Sequence, residues 1–188
     1  MKLRGPRVLL RQWSEADLAS FTVMNADPVV MHFFPNVRSV EESAQSLQKL
    51  RLGIEERGWG LWAVQIGSAF AGLTGLNEPE YQTPFTPCVE IGWRFHRKFW
   101  GQGFALESAR LALRFAFAEI HLREVVSFTS TLNERSLRLM QRLEMTRSSA
   151  EDFDHPSVPE GHPLRRHVLY RIQNSSTLLD KLNRELAQ

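Results

Sequence analysis

The chain has 188 residues, 43% of them hydrophobic, with 23 Lys and Arg against 21 Asp and Glu and one cysteine, Cys88. That size supports a single core and a single domain over residues 1–188, while a net charge of only +2 argues against a nucleic-acid partner, and a lone cysteine excludes both a disulfide framework and a CxxC metal or redox motif. No apolar run approaches the roughly 20 residues that cross a bilayer, and MKLRGPR at the start has no apolar leader character, so a cytoplasmic protein with neither membrane nor metal is expected.

Arg7 to Trp13 (RVLLRQW) reads as a strand, and Ser14 with Asp17 three positions on reads as a capping box opening a short helix through Leu18, Phe21 and Met24. Asn25-Ala26-Asp27-Pro28 stops it, because the residue before a proline is pushed out of the α region. Val29 to Pro35 (VVMHFFP) is too short to classify by period and reads as a turn or loop over a cleft. A second capping box, Ser39 with Glu42, opens a longer helix to about Glu56, with Ala44, Leu47, Leu50 or Arg51, and Ile54 as its buried stripe.

From Gly60 to Asn77 the period becomes alternating, with a turn at Gly67-Ser68, which predicts a β-hairpin or meander. Glu78 to Pro87 follows as a loop carrying Tyr81 and Phe85, and together with Val29 to Pro35 and Arg147 to Pro163 it is expected to wall the acceptor site. Beyond the central stretch, Arg123 to Thr129 reads as a strand, Asn133 caps a helix with Leu137, Met140 and Leu143, Arg147 to Gly161 is polar and turn-rich, and His167 to Gln173 is a strand. A helical tail spans 174–188, and its leucine stripe packs either on its own domain or on a partner, so a monomer and a homodimer both remain open.

The central stretch runs from Cys88 to Ile120: a strand, the turn Lys98-Phe99-Trp100-Gly101-Gln102-Gly103, and an amphipathic helix. Glycines at a helix N-terminus let free backbone N–H groups approach an anion, though a GxG after a strand is also an ordinary tight turn. Alternation places Val89, Ile91, Trp93 and Phe95 on one strand face, and Cys88, Glu90, Gly92 and Arg94 on the other. A carboxylate inside an apolar strand is costly unless used or paired. Glu90 is therefore either a strand-edge partner of an arginine or a general base whose pKa is raised by burial. His155, His162 and His167 lack the spacing of a zinc site, and Cys88 has no assigned base that would make it a nucleophile.

These residues resemble a known family. CVEIGWRF followed by HRKFWGQGFALESA is similar to the central motif of the GNAT N-acetyltransferases, and FTSTLNERSLRLMQRLEM to the second half of their coenzyme A site. RVLLRQWSEADL, N-x-R-S, and DFDHPSVPEGHPLRRHVLYRI are closest to the branch that includes the ribosomal-protein N-terminal acetyltransferases, and the likeness spans about residues 7–173. It implies an α/β (α+β) GNAT fold, with a mixed central sheet splayed between the fourth and fifth strands and helices on both faces.

By the same resemblance, acetyl-CoA is the cosubstrate and a primary amine is the acceptor, with the acetyl group passing directly between them in a ternary complex. The resemblance places pantetheine against Ile91, Trp93 and Phe95, the pyrophosphate on the N–H groups of Lys98, Gly101, Gln102, Gly103, Phe104 and Ala105, and Asn133 either on the pantetheine arm or as a helix cap. Glu90 becomes the base. Where many members carry a tyrosine acid this chain has Met140, and Ser136 is the replacement donor, or simply a first-turn residue of its helix. The family's usual glycine after this helix is Glu144 here, which predicts a different helix end. The alternative function, motivated by Met140, is a non-catalytic acyl-CoA-binding or regulatory module.

Overall fold

Five strands pair antiparallel in sequence order before the sheet changes direction. They are β1 (Lys2–Arg4), β2 (Val8–Arg11), β3 (Leu61–Ile66), β4 (Ala69–Asn77) and β5 (Glu90–Phe95). β6 (Glu124–Ser130) then lies parallel to β5, and β9 (Arg166–Gln173) returns antiparallel to β6, with β7 (Thr146–Arg147) and β8 (Phe153–Asp154) paired to β9. The helices are α1 (Leu18–Ala26), α2 (Val40–Arg57), α3 (Phe104–Ala118), α4 (Glu134–Arg142) and α5 (Ser176–Leu186). The computed structural model describes residues 2–187; Met1 and Gln188, the ends of the expected domain and tail, lie outside the described residues.

The expected splay falls between β5 and β6, the fifth and sixth strands, because Lys2–Arg4 adds a strand ahead of the one read at Arg7. A three-residue KLR segment has no alternation to announce it. The loop expected from Arg147 to Gly161 likewise holds β8 and the end of β7, short strands that exist because β9 offers them an edge.

Cross-strand register shows which helices cover which face. Trp62, Thr74 and Trp93 are mutual partners across β3, β4 and β5, and Phe115 of α3 packs edge-on against Trp62 with centroids 5.3 Å apart. Ala63, Leu73 and Arg94 share the other face, where Asn25 of α1 meets Arg94. Helices therefore lie on both faces, and α5 packs on α3, with Arg110 and Glu185 2.8 Å apart. Trp62, Phe21 and Phe117 are fully buried, each contributing about 2–3 kcal/mol of apolar burial.

Local signals formed as their chemistry demands. Ser39 and Glu42 close their capping box, and Gly58 ends α2 in a left-handed conformation at φ 78°. Ser14 and Asp17 do the same at α1, whose first turn is a tight 3-10 turn, and Arg11 holds Asp17 at 2.7 Å. The buried stripe of α2 differs from expectation: Leu47 and Ile54 are in the core, joined by Ser43 and Gly53, while Ala44 and Leu50 are only half-buried. Ser43 is buried because its hydroxyl accepts from Asn25 at 3.1 Å.

The end of α4 corrects the sequence expectation. The helix closes as a glycine-terminated one does, with Glu144 itself in the left-handed region at φ 59°, Glu144 N–H donating to Gln141 at 2.9 Å and Met145 N–H to Met140 at 3.1 Å. Its carboxylate is paired with Lys181 of α5.

Candidate active site

β5 and β6 share one bridge and then part. Val126 N–H donates to Val89 C=O at 2.9 Å, the register pair is Glu90 with Val126, and Ser127 Oγ donates to Ile91 C=O at 3.0 Å. Because carbonyls at 89 and 91 face β6, the strand's period of two turns the backbone of Trp93 and the N–H of Phe95 toward the same gap. Phe95 C=O is taken by the Trp100 indole at 2.9 Å. An extended polar ligand entering the gap thus meets unpaired backbone groups of β5, as a further strand would.

At the end of β5 the chain turns into α3 through Gly101 (φ 73°) and Gly103 (φ 83°), the residue that caps the helix. Among the described residues, none of the N–H groups from Gly101 to Leu106 donates to a backbone carbonyl, the first helical bond being Glu107 N–H to Gly103 C=O. A row of free donors at a helix N-terminus fits a pyrophosphate. Glu107 braces this turn: it is buried and accepts from Arg7 N–H at 2.7 Å, Arg7 Nε at 2.7 Å and Val8 N–H at 3.0 Å. Arg7 in turn donates to Gln102 C=O at 3.0 Å and lies over the Phe104 ring.

The gap opens into a cavity of about 870 Å³ whose lining includes both ends of this arrangement. Of the residues expected to hold the acyl donor, Ile91, Trp93, Phe95, Gly101, Gly103, Phe104, Ala105 and Asn133 line it; Lys98 and Gln102 do not. Lys98 is exposed and its carbonyl takes the Gln102 amide at 2.7 Å, so these two shape the turn from outside. Glu90 and Ser136 line the same cavity.

Glu90 lies on the α1 and α2 side of β5. Burial pushes its pKa up to about 8, opposed by the Asn77 side chain, and among the described residues no arginine pairs with it. The strand-edge ion pair allowed by the sequence is thus not formed. Cys88 beside it is also pushed up, to about 11, chiefly by burial, which keeps the thiol protonated.

Ser136 sits in the first turn of α4. Its Oγ accepts from the Trp93 indole at 3.2 Å and from Asn133 Nδ2 at 3.1 Å, so its own O–H is uncommitted. Asn133 fills the capping role: Oδ1 accepts from Ser136 N–H at 3.3 Å and Nδ2 also donates to Thr129 at 2.9 Å. Met140 is fully buried and outside the cavity lining.

The three segments read as acceptor walls all reach the cavity, through Val29 and Phe34, through Tyr81, and through His155 and Val158. Tyr81 O–H and His155 Nε2 are 3.0 Å apart. Burial lowers His155 to about 4 and raises the Tyr81 phenol well above its usual range, so both are neutral near pH 7. Sequence reasoning missed Arg135, Arg138 and Arg142 of α4 on the opposite wall, where Arg135 stacks over Trp100 at 4.2 Å. Their spacing of three and four along one helix face was the available signal.

Comparison with known proteins agrees with this geometry. Residues 7–146 match the family model for the acetyltransferase (GNAT) domain. The FsC-acetyl coenzyme A-N(2)-transacetylase of Aspergillus fumigatus is 33% identical over 130 residues, which are 63% of this chain and 55% of that protein, so the chain matches just over half of that relative's length. The N-acetyltransferase YnaD of Bacillus subtilis, itself uncharacterized, is 24% identical over 172 residues, covering 92% and 96% of the two chains. A putative acetyltransferase from T. thermophilus superposes with a TM-score of 0.76 at 27% identity, over 98% of this chain and 96% of that one. RimL, a ribosomal-protein acetyltransferase solved with coenzyme A, shares the fold at a TM-score of 0.71 and 18% identity, over 92% and 98%.

Proposed function

Because the chain belongs to the GNAT acetyltransferase family, we propose that it moves an acetyl group from acetyl-CoA directly to a primary amine of a small molecule or a protein N-terminus. Acetyl-CoA supplies the acyl group as a thioester. The observation that carries the reading is the continuous path from the free N–H groups of Gly101–Leu106, along the unpaired edge of β5, to a carboxylate with a raised pKa at Glu90.

Each residue has a defined part. The N–H groups of the turn bind the pyrophosphate, and Arg135, stacked over Trp100, adds positive charge from α4, whereas Arg138 is paired with Glu134. The β5 edge holds the pantetheine arm. Glu90 takes the proton from the incoming ammonium, directly or through a water, and a pKa near 8 suits it to that task at neutral pH. A β5 N–H stabilises the negative charge that builds on the carbonyl oxygen as the C–N bond forms. Ser136 O–H gives its hydrogen bond to the sulfur as the C–S bond breaks. No helix among the described residues is long and apolar enough to cross a membrane, and the sequence reading supports a cytoplasmic setting.

The test is coenzyme A release from acetyl-CoA in the presence of N-terminal peptides, polyamines, and amino-sugar and amino-acid amines. Release with at least one class is expected. Tight acetyl-CoA binding with no release from any class would leave the non-catalytic binding module standing instead.

A further inference from the structure

Arg94 is a guanidinium set into the cavity wall, and among the described residues no carboxylate pairs with it. Nη1 donates to Asn25 Oδ1 at 2.7 Å, the Phe34 ring lies over the guanidinium at 4.2 Å, and the buried Nε–H has no partner among the described residues. Burial pulls its pKa down to about 9, and the charge of Arg38 pulls in the same direction. Two arginines placed together without a counter-ion weaken the fold unless a ligand supplies the missing charge.

The rest of the wall does not supply it. Among the described residues Glu90 is the only acidic one lining the cavity, and it stands four positions from Arg94, about 13 Å along the strand. The arginines of α4 flank the phosphate turn on the far side and so answer to the acyl donor. Arg94 and Arg38 instead lie on the α1 and α2 side, with Glu90 and the acceptor walls. With Nη1 committed to Asn25, Nη2 is the donor left to meet a carboxylate from the cavity, and the buried, unpartnered Nε lies on the same edge of the guanidinium as a second donor.

We propose that the acceptor amine also carries a carboxylate, which Arg94 binds with Arg38 beside it while the amine is presented to Glu90. This rests on the transferase reading above and specifies its substrate class. The separation of Glu90 and Arg94 along β5, with Gly92 leaving the wall between them bare, favours an amine and a carboxylate several bonds apart over an α-amino acid.

The test compares glycine, γ-aminobutyrate and ε-aminohexanoate, each with its own amide, by calorimetric titration into the coenzyme A-loaded protein and by coenzyme A release from acetyl-CoA. A longer acid is expected to bind about tenfold more tightly than its amide. Arg94→Gln should remove that difference while acetyl-CoA affinity stays within about twofold, and Arg38→Gln, at a half-exposed position, should reduce it by about threefold. Equal or absent binding of acid and amide across the panel overturns the carboxylate site, whether or not amines are acetylated. An acid preference in binding without coenzyme A release from these acids sustains the site, and if the wider amine panel is silent as well it overturns the transferase reading. Arg94→Gln weakening acetyl-CoA binding while the acid preference persists would assign Arg94 to the donor and also overturn the inference.

Discussion

The Trp93 indole N–H donates to Ser136 Oγ at 3.2 Å, linking β5 to the first turn of α4 across the gap between the two halves of the sheet. With Asn133 as a second donor, the Ser136 hydroxyl proton is the one left to give. Ser136→Ala should therefore lower kcat by about 10–100-fold while acetyl-CoA affinity changes by no more than about twofold. Steady-state kinetics alongside calorimetry separates the two, and an unchanged kcat would return Ser136 to a purely structural place in the helix.

If Glu90 is the proposed base, one proton links activity to stability. Its folded pKa is raised to about 8 from an ordinary 4.5, so the folded protein holds a proton that the unfolded chain has released. The corresponding stability is present below the ordinary pKa and is lost as pH rises toward 8. His155 has the opposite sign: its pKa is lowered to about 4 from 6.5, so stability falls as pH drops through that window. Above pH 6.5 the decline thus belongs to Glu90. Glu90→Gln should remove it, stabilising the protein at pH 9 by about 2 kcal/mol, a figure discounted because the side chain is partly open to the cavity. The same variant should lose turnover by about 10²–10⁴-fold. Denaturant titrations at pH 6 and pH 9, with initial rates, test both halves.

Gly101 and Gly58 form a matched pair. Both have positive φ, 73° and 78°, and an added Cβ at either meets nothing within 4 Å. Substitution by alanine should cost each about 1 kcal/mol of stability through backbone strain alone. If the pyrophosphate sits on this turn as proposed, only Gly101→Ala should also weaken acetyl-CoA binding, by about tenfold. Equal affinity for the two variants would move the pyrophosphate away from this turn.

Glu144 occupies a left-handed position that glycine fills at lower cost. Glu144→Gly removes about 1 kcal/mol of strain and gives up an exposed ion pair with Lys181 that contributes a few tenths, so a net gain of about 0.5 kcal/mol is expected. Chemical denaturation measures it, and a loss of stability would mean that the link between α4 and α5 outweighs the strain.

Features set by neighbouring residues were legible in the chain. Ser39 with Glu42 and Asn133 before α4 satisfy helix ends within a few positions, and the alternation around Glu90 assigned its strand face correctly. What stayed hidden depends on distant partners. Lys2–Arg4 becomes a strand only because Leu9 to Arg11 lies beside it, and Arg94 acquires its character from Asn25 and Phe34, far away in sequence. The left-handed turn at Glu144 was concealed for another reason: side-chain identity pointed away from a conformation that the surrounding packing imposes.

The single bridge between β5 and β6 has a mechanical consequence. Strands β1 to β5 form one hydrogen-bonded unit and β6 to β9 another, joined through the backbone at one register pair. On the proposed reading, a pantetheine arm bonded along β5 would fill the seam as a surrogate strand, and the cosubstrate would join the two halves. Amide exchange should then show two cooperative units in the free protein that merge into one when coenzyme A is bound, making the donor a structural member of the enzyme during each turnover.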